Sequence, residues 1–265
     1  IGLFMLAVVW WVFEVLPIGI TGIAIGVIQA LFMIRDPRVA MTDFMDPSVW
    51  FVIGSLVIGK AFSKTGITKR IAYRMLIIVG EKTSMIYLGC FVLTALLTMT
   101  MAHTAVAAAI FPVLFTIYGM YSPDFKPTNF GKGLFIGMAF SAGAGSIVTL
   151  LGAARGAVAL GYYSDIVGRE ISFFELSKYM FPVGWSMVLI IWLYMLLIYP
   201  PERKTVTGLR DKAILLSGKI GPIKMKELAT LVIVFGCLAM LTAQAFVPAL
   251  KLIPKSAVIL TGTIM

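Results

Sequence analysis

Long apolar runs separated by short polar breaks dominate the sequence. We expect each run to form an α-helix, because an open sheet edge cannot face lipid and a helix satisfies its own backbone groups. The pattern therefore predicts an all-α polytopic membrane protein. The runs cover about residues 1–13, 18–33, 48–62, 85–98, 105–118, 133–160, 179–198, 228–246 and 257–265.

One polar break lies inside a longer apolar stretch. It runs from Thr98 to Thr104 and contains His103, the only histidine of the chain. The apolar arm on each side is short for a crossing, which takes about 20 residues, and the two arms together are too long for one crossing. We therefore predict a re-entrant helical hairpin over about residues 84–120. Non-helical backbone survives at membrane depth only beside protein or water, where transporters place their substrate and ion sites.

A second interruption is expected within a helix over about residues 130–162. The apolar run there is long for one crossing, and its glycines favour a break, so we predict one transmembrane helix broken in the middle. Arg155 follows the glycines, and its guanidinium suits a carboxylate or a sulfate. Two alternatives stay open: the glycines serve close helix packing, and Arg155 extends to the membrane interface.

Composition and charge agree with a membrane protein. The chain is 60% hydrophobic and 13% charged, which is atypical of a soluble domain. Its net charge of +10 does not indicate a nucleic-acid partner, because the basic residues lie between apolar runs and not on one soluble face. The chain starts and ends in apolar runs, so we expect a piece of a longer protein.

The distribution of charge predicts the orientation in a plasma (inner) membrane. Residues 60–82 and 201–227 are strongly basic and are expected in the cytoplasm, whereas the loops at 35–46 and 165–178 carry more acidic than basic residues and are expected outside. This multi-pass topology requires an even number of crossings from the hairpin and a single crossing from the broken helix.

The pattern of residues 67–79 predicts an amphipathic helix that is too short to span the membrane. Ile71 and Ile78 lie on its apolar arc. Lys69 and Arg74 lie on the opposite, basic arc. Such a helix suits the interface of the cytoplasmic leaflet, and the alternative is a loop helix that faces solvent.

The two ends of the chain share a weak pattern, in which an apolar run is followed by a break with a proline and another apolar run. The prolines are Pro17 and Pro254. The charge-based orientation gives the two stretches opposite directions, as in transporters with inverted repeats. We predict a first repeat over residues 1–200, a cytoplasmic linker over 201–226 and the truncated start of a second repeat over 227–265.

Interrupted helices leave N–H and C=O groups without partners. Helix N-termini attract anions, and free carbonyls and hydroxyls attract cations. Thr98, Thr100 and Thr104 supply hydroxyls at the first break, and the ring of His103 can donate or accept a hydrogen bond. The alternatives are that these threonines satisfy the backbone of a continuous helix pair and that His103 is a packed histidine bonded to a carbonyl.

Three segments carry a family resemblance. Residues 10–17 read Trp-Trp-Val-Phe-Glu-Val-Leu-Pro, residues 94–105 hold the polar break, and residues 137–152 hold the glycine-rich break. In this order they resemble the opening motif, the re-entrant hairpin and the broken fifth helix of the divalent anion–sodium symporters. The resemblance covers nearly the whole chain and implies sodium-coupled transport of di- or tricarboxylates or sulfate. It also implies an elevator-type motion and a homodimer.

The resemblance also implies site residues. The Ser-Asn-Thr tip of the family falls on Ala102, His103 and Thr104. Ala102 therefore lacks a hydroxyl, and His103 replaces an amide with a group that can become charged. The predicted substrate-binding residues are His103, Thr104, Gly152, Ala153 and Arg155. The predicted cation-binding residues are Thr98, Ala102, His103, Thr149 and Gly152, with sodium as the candidate ion and no other cofactor.

The expected partners are a small anionic substrate and the lipid bilayer, and a variant hypothesis makes His103 a proton carrier. The alternative function is a channel-like or structural membrane subunit without coupled transport. An enzyme is not expected, because the sequence has no Cys/His metal spacing and no phosphate loop.

Overall fold

A computed structural model describes residues 1–265, apart from the side chain of residue 43. The described chain is helical and has no β-strand, only an isolated bridge between Lys82 and Thr205. It divides into two compact units, Ile1–Trp50 and Phe51–Met265. The helices are α1 (Gly2–Val12), α2 (Ile18–Leu31), α3 (Pro37–Thr42), α4 (Pro47–Thr65), α5 (Ile67–Val79), α6 (Thr83–Thr98), α7 (His103–Tyr121), α8 (Asn129–Ser146), α9 (Ala154–Val167), α10 (Phe173–Ile198), α11 (Leu209–Ile220), α12 (Met225–Ala243) and α13 (Lys255–Ile264), with 3-10 turns at Asp43–Met45 and Pro248–Leu252.

The first unit is a small helical assembly in which α2 packs against α1 and α3. A tight turn joins α1 to α2. Glu14 adopts a left-handed backbone conformation there, with φ 47°, and the indole N–H of Trp11 donates to the carbonyl of Ile18 at 3.4 Å. The first residues after Pro17 continue as helix, since proline at a helix start costs no internal hydrogen bond.

The centre of the second unit is the pair α6 and α8, with α7 and α10 packed against α8. Small residues recur at every fourth position of α8, a spacing that lets two helix backbones approach closely. A Cβ at Gly133 would overlap the ring of Tyr87, and one at Gly137 would overlap the ring of Phe91. Both rings are fully buried. They fill the notches left by the two glycines and fix how α6 lies along α8.

The start of α6 and the end of α7 lie close together, because the rings of Tyr87 and Tyr121 both pack on the ring of Phe130. The chain therefore reverses direction between the two helices, and we call the side where they start and end the open end of the hairpin. Near this end, the hydroxyl of Tyr87 in α6 donates to the carbonyl of Phe130 at 2.9 Å. At the last residue of α7, the hydroxyl of Tyr121 donates to the carboxylate of Glu202 at 2.9 Å. The same carboxylate accepts from the N–H of Asn129, the first residue of α8, at 2.5 Å. We call these contacts around Glu202 the open-end clamp.

Glu202 lies in the polar segment after α10, outside the apolar helices. Partial burial raises the pKa of its carboxyl, but the hydrogen bonds that it accepts from Asn129, its own backbone, Tyr121 and Phe130 lower the pKa further, and the net shift is downward. A carboxylate that accepts several N–H and O–H groups is stabilised in its charged form. The clamp is therefore built around an ionised glutamate.

The amphipathic helix predicted over residues 67–79 is present as α5 with the same bounds. Its buried side faces the protein through Ala72 and Leu76, whereas Ile78 is 85% exposed. Part of the apolar arc is thus open to the surroundings. Whether α5 lies in a membrane interface stays a prediction.

The predicted linker over 201–226 contains a helix that the sequence pattern did not reveal, α11, which packs on α5. Arg70 of α5 donates to the carbonyls of Gly221 at 2.8 Å and Pro222 at 3.1 Å. It also forms an ion pair with Glu227 at 2.9 Å, and both side chains are largely buried. The segment between α10 and α12 is therefore ordered by specific polar contacts.

Several segments have the length and the apolar character of membrane spans. By length and composition, those found within the described residues are Pro37–Thr65, His103–Tyr121, Phe173–Ile198 and Met225–Ala243. Helix α6 has 16 residues and is shorter than the about 20 that a crossing takes. Apolar side chains along α10 are widely exposed, including Leu197 at 79%, as expected of a surface that faces lipid.

Candidate functional site at the hairpin tip

The polar break of the sequence forms the tip that joins α6 to α7. Helix α6 ends at Thr98 and α7 begins at His103. The hydroxyls of Thr98 and Thr100 donate to main-chain carbonyls three residues earlier, at 2.8 and 2.9 Å. Met101 is fully buried and packs closely on Gly59 of α4. A Cβ added to Gly59 would lie 3.1 Å from the Cβ of Met101.

The glycine-rich segment forms the second interruption. Helix α8 ends at Ser146, α9 begins at Ala154, and residues 147–153 between them are not helical. Buried apolar side chains hold this segment, among them Val148 and Leu151. The interruption lies within residues 130–162, the range in which a break is predicted. That α8 and α9 form one broken transmembrane helix stays a prediction.

The tip and the interruption contact each other through polar groups. The backbone N–H of His103 donates to the carbonyl of Gly152 at 3.1 Å, and its ring Nδ1 lies 3.3 Å from the same oxygen. The hydroxyl of Thr149 donates to the carbonyl of Met99 at 2.7 Å. Since a carbonyl only accepts, Nδ1 of His103 carries the hydrogen, and Nε2 is left for another partner.

Gly152 is required at this junction by the closeness of the backbone. A Cβ at this position would lie 2.5 Å from the carbonyl oxygens of both Thr98 and Ser146. Two main-chain oxygens, one from the hairpin and one from the end of α8, thus converge on the glycine. Carbonyl and hydroxyl oxygens are the ligands that hard cations prefer, so the junction fits a sodium ion by the chemistry of its donors.

Two of the predicted cation-binding residues have carbonyls that already accept hydrogen bonds. The carbonyl of Gly152 already accepts two hydrogen bonds from His103. The carbonyl of Ala102 accepts the N–H of Val106 inside α7, and alanine has no side-chain oxygen. We therefore place the available oxygens on Thr98, Ser146 and Thr149. Ser146 was not predicted, because its role depends on a contact across the interruption that no local spacing reveals.

Two helices begin at this junction without a side-chain cap. Ala102 precedes α7 and Ala153 precedes α9, and neither side chain can accept a hydrogen bond from the helix. The N–H of His103 is already bound to the carbonyl of Gly152. The N–H groups of Thr104 in α7 and Ala154 in α9 keep their capacity to bind an anion. Thr104, in the first turn of α7, is exposed.

Arg155 lies in the first turn of α9, where a positive charge is unfavourable because the helix dipole is positive at that end. Its Nη2 donates to the hydroxyl of Ser146 at 2.9 Å, and that hydroxyl donates to the carbonyl of Gly143 at 2.7 Å. The guanidinium is thus tethered beside the interruption while its other N–H groups stay exposed. An anion at this place would interact with the guanidinium and with the N-terminus of α9 together.

The fold and the site define a class. Apolar helices of spanning length, and two helix starts without a side-chain cap beside a non-helical segment, are features of a membrane transport protein. Within the described residues, no group of three or more His, Cys, Asp or Glu side chains could hold a metal ion.

Comparison with known proteins identifies the family. The family described as the sodium:sulfate symporter transmembrane region matches residues 1–265, and the chain belongs to it. The predicted family is thereby confirmed, and so is the prediction that this is a family of transporters and not of enzymes.

Two relatives carry the same name. The chain is 23% identical over 245 residues to the sodium-dependent dicarboxylate transporter SdcS of Staphylococcus saprophyticus, covering 88% of this chain and 47% of the relative. It is 25% identical over 206 residues to SdcS of Staphylococcus aureus, covering 73% of this chain and 40% of that relative. The chain therefore spans about half the length, or less, of the curated relatives that it matches.

Proposed function

We propose that this chain forms part of a secondary active transporter that moves small divalent anions, most readily dicarboxylates, together with sodium. The family and the sodium-dependent dicarboxylate relatives support this class of substrate and this coupling ion. The observation that carries the proposal is the junction of two uncapped helix starts, at His103 and Ala154, with the tethered guanidinium of Arg155 beside them.

The substrate part of the proposed site uses the positive groups of the junction. One carboxylate of the substrate would be bound by Arg155 and the first N–H groups of α9. The N–H and the hydroxyl of Thr104 at the start of α7, with Nε2 of His103, would bind the other end. Charge-assisted hydrogen bonds of this kind are about twice as strong as neutral ones, so a divalent anion gains from both helix ends.

The cation part of the proposed site uses the oxygens on the inner side of the junction. Sodium would bind among the carbonyl oxygens of Thr98 and Ser146 and the hydroxyl of Thr149. A positive ion there would lie close to the substrate anion and raise its affinity, because opposite charges attract strongly in a site of low dielectric constant. This coupling is reciprocal: the substrate raises the affinity for sodium by the same factor.

The membrane architecture belongs to the same proposal. We propose that α6 and α7 form a re-entrant hairpin, that α8 and α9 form one broken helix, and that α12 and α13 begin a second repeat of opposite orientation. Hairpin and broken helix would then carry the substrate in an elevator-type motion within a homodimer in the plasma membrane. The 16-residue length of α6 and the reversal between α6 and α7 support this arrangement.

The test uses the full-length protein in liposomes, with uptake of labelled succinate, citrate and sulfate measured with and without a sodium gradient. We expect saturable, sodium-dependent uptake of succinate. Arg155→Gln should raise the KM roughly tenfold to a hundredfold, since a hydrogen bond to a charged group contributes about 1.5–3 kcal/mol. The matched control is Arg169→Gln, which removes an exposed arginine paired with Glu175 and should leave uptake unchanged.

Two results would contradict the proposal. If Arg155→Ala and His103→Ala left the uptake of all three anions unchanged, the junction would not be the substrate site. A current that rises with voltage and never saturates with substrate would favour the channel-like alternative.

A further inference from the structure

An apolar groove runs between α5 and α6 on the surface of the second unit. Its volume is about 420 Å³, within the range of roughly 300–1,000 Å³ of small-molecule sites. Side chains of both helices line it. They are Ile71, Met75, Ile78 and Val79 of α5 and Met85, Leu88, Val92, Leu93 and Leu96 of α6, together with Gly89 and Arg74.

The groove results from the close approach of the two helices at Gly89. A Cβ there would lie 2.5 Å from Val79 and 2.6 Å from the sulfur of Met75, so α5 and α6 touch at this point. The walls stay open on the outer side, where Ile78 is 85% exposed and Leu96 is 48% exposed. An elongated apolar ligand could therefore lie along the groove.

Arg74 is the only charged residue among those that line the groove. It stands on the basic arc of α5, in the segment 60–82 whose charge predicts the cytoplasmic side of the membrane. Anionic lipids give that leaflet a negative surface potential, which attracts basic side chains. The groove thus combines an apolar slot with one positive charge, complementary to an acyl chain joined to a phosphate.

We propose that the groove between α5 and α6 binds an anionic phospholipid, with an acyl chain along the apolar walls and the phosphate at Arg74. This site is separate from the junction at the hairpin tip and does not depend on which anion the protein transports. A lipid bound there would fill the space between the interfacial helix α5 and the hairpin helix α6.

The test measures lipids retained by the full-length protein after purification in mild detergent. The protein is exchanged into micelles that contain equal amounts of phosphatidylglycerol and phosphatidylethanolamine with matched acyl chains, and bound lipid is quantified by mass spectrometry. The wild-type protein should retain phosphatidylglycerol in preference. Arg74→Gln should reduce this preference roughly fivefold, the factor that corresponds to about 1 kcal/mol per basic residue near a membrane surface.

Lys69→Gln is the matched control, because Lys69 is an exposed basic residue of α5 that does not line the groove. It should retain the preference of the wild type. Val92→Trp fills the groove and should lower retention of both lipids, while size-exclusion profiles and circular dichroism verify that each variant is folded.

Three results would overturn the proposal. They are an unchanged preference in Arg74→Gln, an equal loss in Arg74→Gln and Lys69→Gln, and a spin label at Ile78→Cys that is shielded from oxygen in the bilayer. The second would mean that only the general charge of α5 acts on lipid. The third would mean that protein, and not lipid, covers the groove.

Discussion

The two ends of the hairpin differ in how their helix termini are satisfied. At the open end, α8 begins with its N–H groups bound by the carboxylate of Glu202 and by the hydroxyl of Thr128, the latter at 3.0 Å. At the tip, α7 and α9 begin after Ala102 and Ala153, which offer no side-chain acceptor. The first N–H groups of α8 are thus bound by side chains, whereas the N–H groups of Thr104 and Ala154 at the tip have no such partner. This difference supports the proposal that the ligand binds at the tip.

The largest effect is expected from a substitution that pushes the hairpin tip away from the non-helical segment 147–153. Gly152→Ala would place a methyl group against two carbonyl oxygens at 2.5 Å. We expect a cost of roughly 1–3 kcal/mol from overpacking and a fall in sodium-dependent succinate uptake of roughly tenfold to a hundredfold. Uptake and thermal unfolding of the full-length protein measure both effects.

The matched control for this change is Gly143→Ala, since nothing lies within 4 Å of a Cβ at that position. Alanine is the better helix former by about 1 kcal/mol, so this variant should keep its uptake and unfold no earlier than the wild type. Equal losses in the two variants would contradict the special role of the junction.

A second change converts the tip into a capped terminus. Ala153→Asp supplies the acceptor that α9 lacks, and an N-cap of this type stabilises a helix by about 0.5–2 kcal/mol. The added carboxylate also occupies the place expected for the substrate anion. We therefore expect a higher unfolding temperature together with at least a tenfold weaker affinity for succinate, measured by uptake at varied concentration.

Removal of an existing cap gives the opposite combination. Ser172 caps α10 by accepting the N–H of Glu175 at 3.1 Å, so Ser172→Ala should lower stability by about 1 kcal/mol and leave the KM unchanged. If Ala153→Asp raised stability without any loss of affinity, the uncapped start of α9 would not be part of the substrate site.

The smallest effect is expected at the open-end clamp. Glu202→Gln should lower the free energy of unfolding by about 1 kcal/mol or less, because the carboxylate is exposed and exposed charged contacts contribute little. The pKa of Glu202 is lowered in the folded state, so its contribution is present above the ordinary pKa of a glutamate and is lost as the pH falls through the folded value. Wild type and variant should therefore differ at pH 7 and converge in acid, as measured by thermal unfolding. A difference that grows in acid would contradict this assignment.

The sequence predicted those parts of the fold that depend on local pattern. The period of apolar residues located α5 with its observed bounds, and the polar and glycine-rich breaks located the ends of α6 and α8. Helix α11 was missed because its apolar residues form only a short run between charged ones, in a basic segment. Its stability comes from packing on α5 and from the bonds of Arg70, which join residues far apart in the chain.

Only part of the site could be predicted, because local pattern shows where helices break but not which distant residues meet. The spacing of the breaks and the family resemblance brought His103, Thr149, Gly152 and Arg155 forward as candidates, and the structure places the first three in contact. The hydroxyl of Ser146, to which Arg155 is bound, and the double acceptance by the carbonyl of Gly152 could not be predicted. Both depend on the path of seven non-helical residues, 147–153, whose course no periodic pattern determines.

The aromatic rings seated against glycines between α6 and α8 have a mechanical consequence. Sliding either helix along the other would drive the ring of Tyr87 or Phe91 out of its notch and into a position that carries a side chain. The two helices are therefore interlocked and cannot slide past each other. In the proposed transporter, a displacement that carries the solute would therefore move α6 and α8 together, and the relative motion would occur between other helices.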